Sequence, residues 1–104
     1  MRRGEVWWVD FPPPTGRRPA VLVSRDQAYA VRDSVTVVPL TRTIRQIPVE
    51  VPLDRSDGVL RKCVANADDI ATVSKSRVLS YLATLSPEKL QALHTAIRFA
   101  LDLP

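Results

Sequence analysis

The sequence predicts a mainly β fold, a small and strongly bent sheet or barrel with one C-terminal helix packed on it. The length of 104 residues suits one domain that spans 1–104. Short apolar runs separated by turn residues recur up to residue 85, which is typical of strands. Only the last part of the chain has sustained helical periodicity. Together these observations indicate strands first and a helix last.

Three strands are predicted in the first half of the chain. They are rich in β-branched and aromatic residues and span 5–11, 20–24 and 34–40. A proline-rich connector at 12–16 is expected to be rigid and extended, and Ser24 is expected to cap one or two helical turns within 25–33. Pro39 lies near the end of the third strand, which indicates an edge position or a bulge.

Four shorter strands are predicted in the second half, at 47–53, 63–66, 69–73 and 81–85. Prolines at alternate positions of the first of these are typical of an exposed edge strand. The helix is predicted to start at Pro87, with Ser86 as its N-cap. Its core-facing stripe is predicted to consist of Leu90, Leu93, Ile97 and Leu101.

The excess of positive charge lies entirely in the first part of the chain. The residues up to Arg45 hold eight arginines against four carboxylates, whereas the remainder has seven groups of each sign. Arginine binds phosphate and carboxylate groups with two parallel hydrogen bonds. The pattern therefore indicates either a phosphate-rich or carboxylate-rich partner or a solvated basic face.

Several classes of site and of segment are not expected. Cys63 and His94 stand alone, so no zinc or iron site and no intrachain disulfide is expected. No glycine-rich phosphate loop occurs, and we expect no cofactor. The apolar run that follows Arg3 is broken by Asp10 and three prolines, which argues against a signal peptide or a membrane span. We expect a cytoplasmic protein.

The remaining polar groups suit the cleavage of RNA. Arg18 precedes a proline, which biases it to extended geometry at the start of an apolar strand, and Thr41 ends another strand. Arg18 offers charge stabilisation to a phosphodiester, and a hydroxyl or carboxylate can orient the substrate or accept its proton. The carboxylate pair Asp68 and Asp69 either takes part in this chemistry or forms a solvated turn, and composition alone favours the turn. The ribose 2′-hydroxyl is an internal nucleophile that DNA lacks. Trp7 and Trp8 either pack in the core, or one of them covers a binding groove.

Four segments in this order resemble the motifs of the MazF/PemK toxin family. They are Arg3–Phe11, Arg18–Ser24, Val37–Thr41 and Asp69–Lys75. The resemblance implies an SH3-like barrel of the CcdB, MazF and Kid type with a C-terminal helix packed on it. It also implies a homodimeric toxin that cuts single-stranded mRNA without metal, leaves 2′,3′-cyclic phosphate and 5′-hydroxyl ends, and is neutralised by a MazE-like antitoxin whose acidic segment enters the RNA groove. Such a toxin acts in the bacterial cytoplasm.

The resemblance also implies site residues. Arg18 and Thr41 match the catalytic arginine and threonine of the family, and Asp68 matches an aspartate that serves some members as a base. The predicted RNA contacts are Arg17, Arg42, Arg45, Asn66 and Asp69.

This chain departs from the family pattern in two places. Its first loop is short, and Asp69 and Ala71 stand where relatives often carry glutamine and arginine. Two alternatives therefore remain open, a catalytically weak module that binds RNA or antitoxin and a CcdB-like gyrase inhibitor.

Overall fold

The computed structural model describes residues 1–104, which form one curved antiparallel sheet with two helices. The elements are β1 (Glu5–Asp10), β2 (Arg17–Leu22), α1 (Ala28–Val31), β3 (Ser34–Thr41), β4 (Glu50–Leu53), β5 (Cys63–Asn66), β6 (Ala71–Ser74), β7 (Val78–Thr84) and α2 (Pro87–Leu101). The strands lie in the order β4-β5-β3-β2-β1-β7, and β6 pairs with the first half of β3 while β5 pairs with its end. No hydrogen-bonded ladder joins β4 to β7, so the sheet is not closed. The predicted mainly β fold with a C-terminal helix is thereby confirmed.

Strands β1 and β2 form a hairpin, and their connector reverses the chain instead of extending it. The N–H of Phe11 donates to the carbonyl of Gly16 over 3.0 Å. The prediction of an extended connector was wrong, because this hydrogen bond closes the prolines into a turn. As a result Arg17 and Arg18 already belong to β2, where they pair with Asp10 and Val9.

Strand β3 is central and not an edge strand, although it contains Pro39. The N–H of Val23 donates to the carbonyl of Thr36, so backbone groups at even positions of β3 face β2. The missing N–H of Pro39 therefore faces the other side, where a 3-10 turn at Ala67–Asp69 separates β5 from β6. Asp69 was expected in a strand, but it lies in this turn, which is capped by the Asn66 side chain and stands opposite the position where Pro39 has no N–H to donate.

The core consists of two apolar clusters, one on each side of the sheet. The larger contains Val6, Leu53 and Leu93, and the smaller contains Val9, Leu22 and Val37. Strand β4 pairs only with β5, so its predicted edge position is confirmed. Neither helix has the length and hydropathy that crossing a membrane requires.

Helix α2 packs on the larger cluster. The Ser86 hydroxyl accepts a hydrogen bond from the N–H of Lys89 over 3.1 Å, which confirms the predicted N-cap. Leu101, however, is 49% exposed. Because each residue turns a helix by about 100°, Ala100 and not Leu101 returns to the direction of Leu93 after two turns. Ala100 accordingly packs against the larger cluster.

The segment between β2 and β3 contains only the short helix α1. Its N-cap residue is Gln27, so the prediction for Ser24 was wrong. The Ser24 hydroxyl instead accepts a hydrogen bond from the N–H of Thr36 over 2.8 Å and thereby fixes the start of β3. Tyr29 packs in the smaller cluster and donates its hydroxyl to the carbonyl of Ser24. Burial raises the pKa of Tyr29 to about 12.

Candidate functional site: an arginine-lined cleft

A cleft of about 540 Å³ lies at the meeting point of β2 and β3. Its lining includes Arg17 and Arg18 from β2, and Thr41 and Arg42 from the end of β3. The four residues were singled out from distant parts of the sequence, and the fold brings them together. The cleft thus joins two arginines at the start of one strand to a hydroxyl at the end of its neighbour.

The pairing of β2 with β3 explains this convergence. Ala20 lies opposite Pro39, and the two strands are antiparallel. Each step toward the start of β2 is matched by one step toward the end of β3, so the same register extended by two residues places Arg18 opposite Thr41. A shift of one residue in this pairing would turn one of these side chains to the other face of the sheet.

The other walls of the cleft come from β1 and from the segment before β5. Trp8 lies half-buried in the lining, and Val59, Leu60 and Arg61 approach from the opposite side. Of the two interpretations of the tryptophans, Trp8 therefore fits the one in which a tryptophan lies against a binding groove. Trp7 packs elsewhere, edge-to-face on Tyr81 with ring centroids 6.0 Å apart.

The cleft is electropositive because its cations are not neutralised locally. No carboxylate or imidazole lines it, and its four arginines form no ion pair within 4 Å. The two ion pairs of the protein, Arg77 with Asp10 and Lys89 with Asp57, involve other cations. Unpaired guanidinium groups in a concave site attract and bind phosphate or carboxylate groups.

Thr41 is held in position by its own chain. The N–H of Thr43 donates to the Thr41 hydroxyl oxygen over 3.2 Å. This bond occupies a lone pair and leaves the hydroxyl hydrogen available to a ligand. The Thr41 side chain can therefore donate to an anionic oxygen in the cleft.

Cys63 reaches the cleft but belongs to the core. It is 6% exposed and packs in the larger cluster. Burial raises the pKa of its thiol, with further contributions from Asp57 and Asp54. A thiol held in its neutral form is a poor nucleophile, so the chemistry of the cleft rests on arginine and hydroxyl groups.

Comparison with known proteins connects this cleft to a family. The sequence profile of the PemK-like, MazF-like toxins of type II toxin-antitoxin systems matches residues 2–101. The chain belongs to this family. The resemblance of its motifs to the MazF/PemK toxins is thereby confirmed.

Individual relatives agree with this assignment over nearly the full length of both chains. The probable endoribonuclease MazF5 of Mycobacterium tuberculosis is 38% identical over 101 residues, which cover 96% of this chain and 92% of that protein. Endoribonuclease MazF9 of the same organism is 37% identical over 115 residues, which cover 99% of this chain and 98% of that protein.

Solved structures of the family have the same fold. The Mycobacterium tuberculosis toxin MazF-mt6 superimposes with a TM-score of 0.89 at 26% identity and covers 96% of this chain and 98% of its own. A mycobacterial endoribonuclease in complex with its cognate antitoxin superimposes with a TM-score of 0.88 at 35% identity and covers 100% of this chain and 97% of its own.

Within this MazF-like toxin, the other predicted site residues lie outside the cleft. Arg45 lies in the link between β3 and β4, where its N–H donates to Glu50 over 3.0 Å. Asn66 is buried, and its side chain accepts a hydrogen bond from the N–H of Asp68 over 2.9 Å. Asp68 and Asp69 are exposed in the 3-10 turn beside α2. Their predicted roles in catalysis and RNA binding remain predictions.

Sequence reasoning missed several residues of the cleft in this toxin, among them Thr15, Leu60 and Arg61. Arg61 carries the same chemistry as Arg17 and Arg18, but it stands in the part of the chain with balanced charge. Leu60 carries no local signal, and only the tertiary structure places its side chain, which is 57% exposed, at the cavity. Nowhere in the protein do three His, Cys, Asp or Glu side chains lie close enough to hold a metal ion.

Proposed function

We propose that this protein is an endoribonuclease toxin that cleaves single-stranded mRNA without a metal ion and leaves 2′,3′-cyclic phosphate and 5′-hydroxyl ends. One observation carries the proposal, the convergence of Arg18 and Thr41 in a cleft lined by arginines and by no carboxylate. Relatives support the endoribonuclease activity, because MazF5 is named a probable endoribonuclease and MazF9 an endoribonuclease.

The reaction uses the substrate's own nucleophile. The ribose 2′-oxygen attacks the adjacent phosphorus, and the bond from that phosphorus to the 5′-oxygen of the next nucleotide breaks. The 2′-hydroxyl loses a proton and the departing 5′-oxygen gains one, so no water is consumed. The protein has to hold the 2′-oxygen in line with the leaving oxygen and to stabilise the charge that develops at phosphorus.

Arg18 and Thr41 fit these two tasks. The Arg18 guanidinium donates hydrogen bonds to the non-bridging oxygens, on which negative charge grows in the transition state. The Thr41 hydroxyl, oriented by the N–H of Thr43, donates to the same phosphate and fixes its direction. Arg17, Arg42 and Arg61 hold flanking phosphates, while Trp8 offers an aromatic surface against which a base can stack.

The proton acceptor is a separate question, because the cleft of one subunit contains no carboxylate or imidazole. Asp68 lies at the turn beside α2. Its proposed role as a base therefore requires that a second subunit presents Asp68 to the cleft, which a homodimer allows. Without that contribution the proton passes to a phosphate oxygen or to water.

The proposed partners follow from the same electrostatics. A MazE-like antitoxin neutralises the toxin by inserting an acidic segment among the unpaired arginines, where carboxylates replace phosphates. The relative in complex with its cognate antitoxin supports this interaction. The proposed location is the bacterial cytoplasm, where mRNA is present.

The test is incubation of the purified protein with a long RNA in EDTA, with the ends of the fragments mapped. We expect discrete cuts with cyclic phosphate ends. Arg18→Ala is expected to slow cleavage by about 10²–10³-fold, the usual effect of removing one donor to a transition-state oxyanion. The absence of cleavage by the wild type across diverse RNAs would overturn the proposal in favour of a binding module or a gyrase inhibitor.

A further inference from the structure

A second concave site of about 260 Å³ lies between the start of β3, α1 and the side of α2. Its rim carries three arginines, Arg3, Arg25 and Arg32, and its floor is formed by Val23, Ile70 and Ile97. Hydroxyl groups of Ser24, Ser34, Thr36 and Thr72 complete the lining. None of the residues that line the cleft contributes to this second cavity.

The three arginines of the second cavity are not equivalent. Arg3 is committed to the fold, since its guanidinium donates to the carbonyl of Val23 and to Nε2 of His94. Arg25 makes no side-chain hydrogen bond, and Arg32 makes only a long one of 3.5 Å to the Ser34 hydroxyl. Neither Arg25 nor Arg32 has a carboxylate within 4 Å. The guanidinium groups of Arg25 and Arg32 are thus available to a ligand, beside the guanidinium group of Arg3, which is held in place.

The lining suits a nucleotide better than an isolated anion. Two free guanidinium groups can bind a phosphate, and the isoleucine side chains of the floor offer apolar surface to a ribose or a base. The hydroxyls of Thr36 and Thr72 lie 3.3 Å apart and can donate to or accept from sugar and base edges. Inorganic phosphate would leave the apolar floor unused.

The second cavity lies on the same two strands as the cleft. Strand β2 begins with Arg17 and Arg18 in the cleft and leads to Val23 and Ser24 in the second cavity. Along β3, Thr36 precedes Thr41 by five residues, a spacing of about 17 Å in an extended strand. This odd separation turns the two side chains to opposite faces of the sheet, so an RNA that occupies both sites has to pass from one face to the other. Small barrel domains commonly bind about 4–16 nucleotides of single-stranded nucleic acid, so one RNA can span both sites.

We propose that the second cavity binds a backbone phosphate and the adjoining nucleoside of an RNA strand whose scissile bond lies in the cleft, with Arg25 and Arg32 as the phosphate ligands. This inference rests on the proposed function, which supplies the RNA. An RNA is favoured over an acidic protein segment, because carboxylates alone would not use the apolar floor and the ring of hydroxyls.

The test compares the Arg25→Ala/Arg32→Ala double variant with Arg2→Ala and with the wild type. Arg2 is exposed near the same end of the molecule but lines neither cavity, so it reports the effect of losing one nearby charge. The probes are 2′-O-methylated RNAs of mixed sequence, about 4 and about 15 nucleotides long, which cannot be cut because they lack a free 2′-hydroxyl. Affinity is measured as a function of salt.

For the long probe, we expect the double variant to bind about tenfold more weakly and to lose about 0.7 from the salt slope for each phosphate contact removed. For the short probe, which the cleft alone can hold, and for Arg2→Ala we expect affinities close to the wild type. An unchanged thermal midpoint of the double variant establishes that it is folded. A double variant that behaves like Arg2→Ala with the long probe would overturn the proposal.

Two further outcomes separate this inference from its alternatives and from the proposed function. The part of the long probe's affinity that the double variant lacks reports the second cavity alone. If inorganic phosphate or a polyglutamate peptide, but not uridine monophosphate, competes for that part, the proposal is also overturned. If the wild type cuts no RNA in EDTA but the double variant still loses affinity and salt slope for the long probe, then the proposed function fails and the second site stands.

Discussion

The two basic cavities contain the same kind of side chain but use it differently. In the cleft, Arg17, Arg18 and Arg42 make no side-chain hydrogen bond or ion pair within the protein. In the second cavity, Arg3 ties the N-terminal segment to Val23 and His94. The number of arginines in a cavity therefore does not distinguish ligand-binding residues from structural ones. The contacts of each guanidinium group distinguish them.

This difference predicts where substitutions act. Changes in the cleft should affect the cleavage rate more than folding, since its arginines hold no other part of the protein. Changes around Arg3 should affect folding, because they remove contacts that join the chain terminus to the sheet and to α2.

After the loss expected for Arg18→Ala, the next largest effect is that of Thr41→Val, which tests whether the cleavage reaction takes place in the cleft. Valine keeps the shape of threonine but cannot donate to the phosphate, so we expect cleavage to slow by about 10²-fold with little change in stability. Thr95→Val is the matched control, because Thr95 is exposed on α2 and bonds only to Gln91. Equal cleavage rates for the two variants would contradict the assignment of Thr41 to the reaction.

A smaller effect is expected for Gly58→Ala, which tests the wall of the cleft. Gly58 has a φ of 90° and leads into the segment of Leu60 and Arg61, and a Cβ there would lie 2.9 Å from Cβ of Ala83. We expect the free energy of unfolding to fall by about 1–3 kcal/mol in denaturant titrations. Gly16→Ala is the control, since Gly16 has a φ of 67° but no atom within 4 Å of the added Cβ.

Comparing these two glycine variants separates backbone strain from steric contact. We expect Gly58→Ala to be the more destabilising, and we expect Ala83→Gly in the same chain to restore part of the lost stability. An equal loss in both variants, with no rescue, would show that the contact with Ala83 is unimportant.

The smallest expected effect is a pH dependence that tests the wall of the second cavity. His94 accepts a hydrogen bond from Nε of Arg3 over 3.3 Å and must be neutral to do so. Burial lowers the pKa of His94, and the charges of Arg3 and Arg98 lower it further. The unfolded chain has the ordinary pKa of about 6.5 and therefore binds more protons just below that pH.

The free energy of unfolding should accordingly decrease as the pH falls from about 7 through 6.5 to the pKa of His94 in the folded protein, and His94 should contribute no further change below it. Denaturant titrations across this range measure the effect. His94→Gln is the matched variant, and its unfolding free energy should change less over the same interval. A parallel pH dependence in both proteins would assign the change to other groups.

The sequence predicted the secondary structure well where local patterns are strong. The aromatic and β-branched runs that became β1 and β3, and the Ser86 cap of α2, carry their own physical reasons and were predicted. The prediction of secondary structure failed where a residue distant in the sequence forms the decisive hydrogen bond. Ser24 looks like a helix cap in its local context, yet its hydroxyl is taken by the N–H of Thr36.

The residues of the candidate site were likewise predictable only where a local pattern marks them. Arg18 and Thr41 were selected from motifs, and Arg42 and Arg17 from their neighbourhood. Arg61 was not selected, because the segment that carries it has neither an unusual charge nor a recognisable motif. The positions of Asp68 and Asp69 outside the cleft depend on the turn opposite Pro39, which no local pattern in their own segment reveals.

The sequence by itself determined the family, the mainly β fold, the C-terminal helix and the residue types of the site, because motifs, alternation of apolar residues and helix caps act over a few neighbouring positions. Only the tertiary structure decided that Arg18 and Thr41 line one cleft, that Arg61 joins them and that Arg3 is occupied elsewhere. These relations depend on strand register and on contacts between residues far apart in the chain. Such contacts are settled by the packing of the whole sheet and by no single segment.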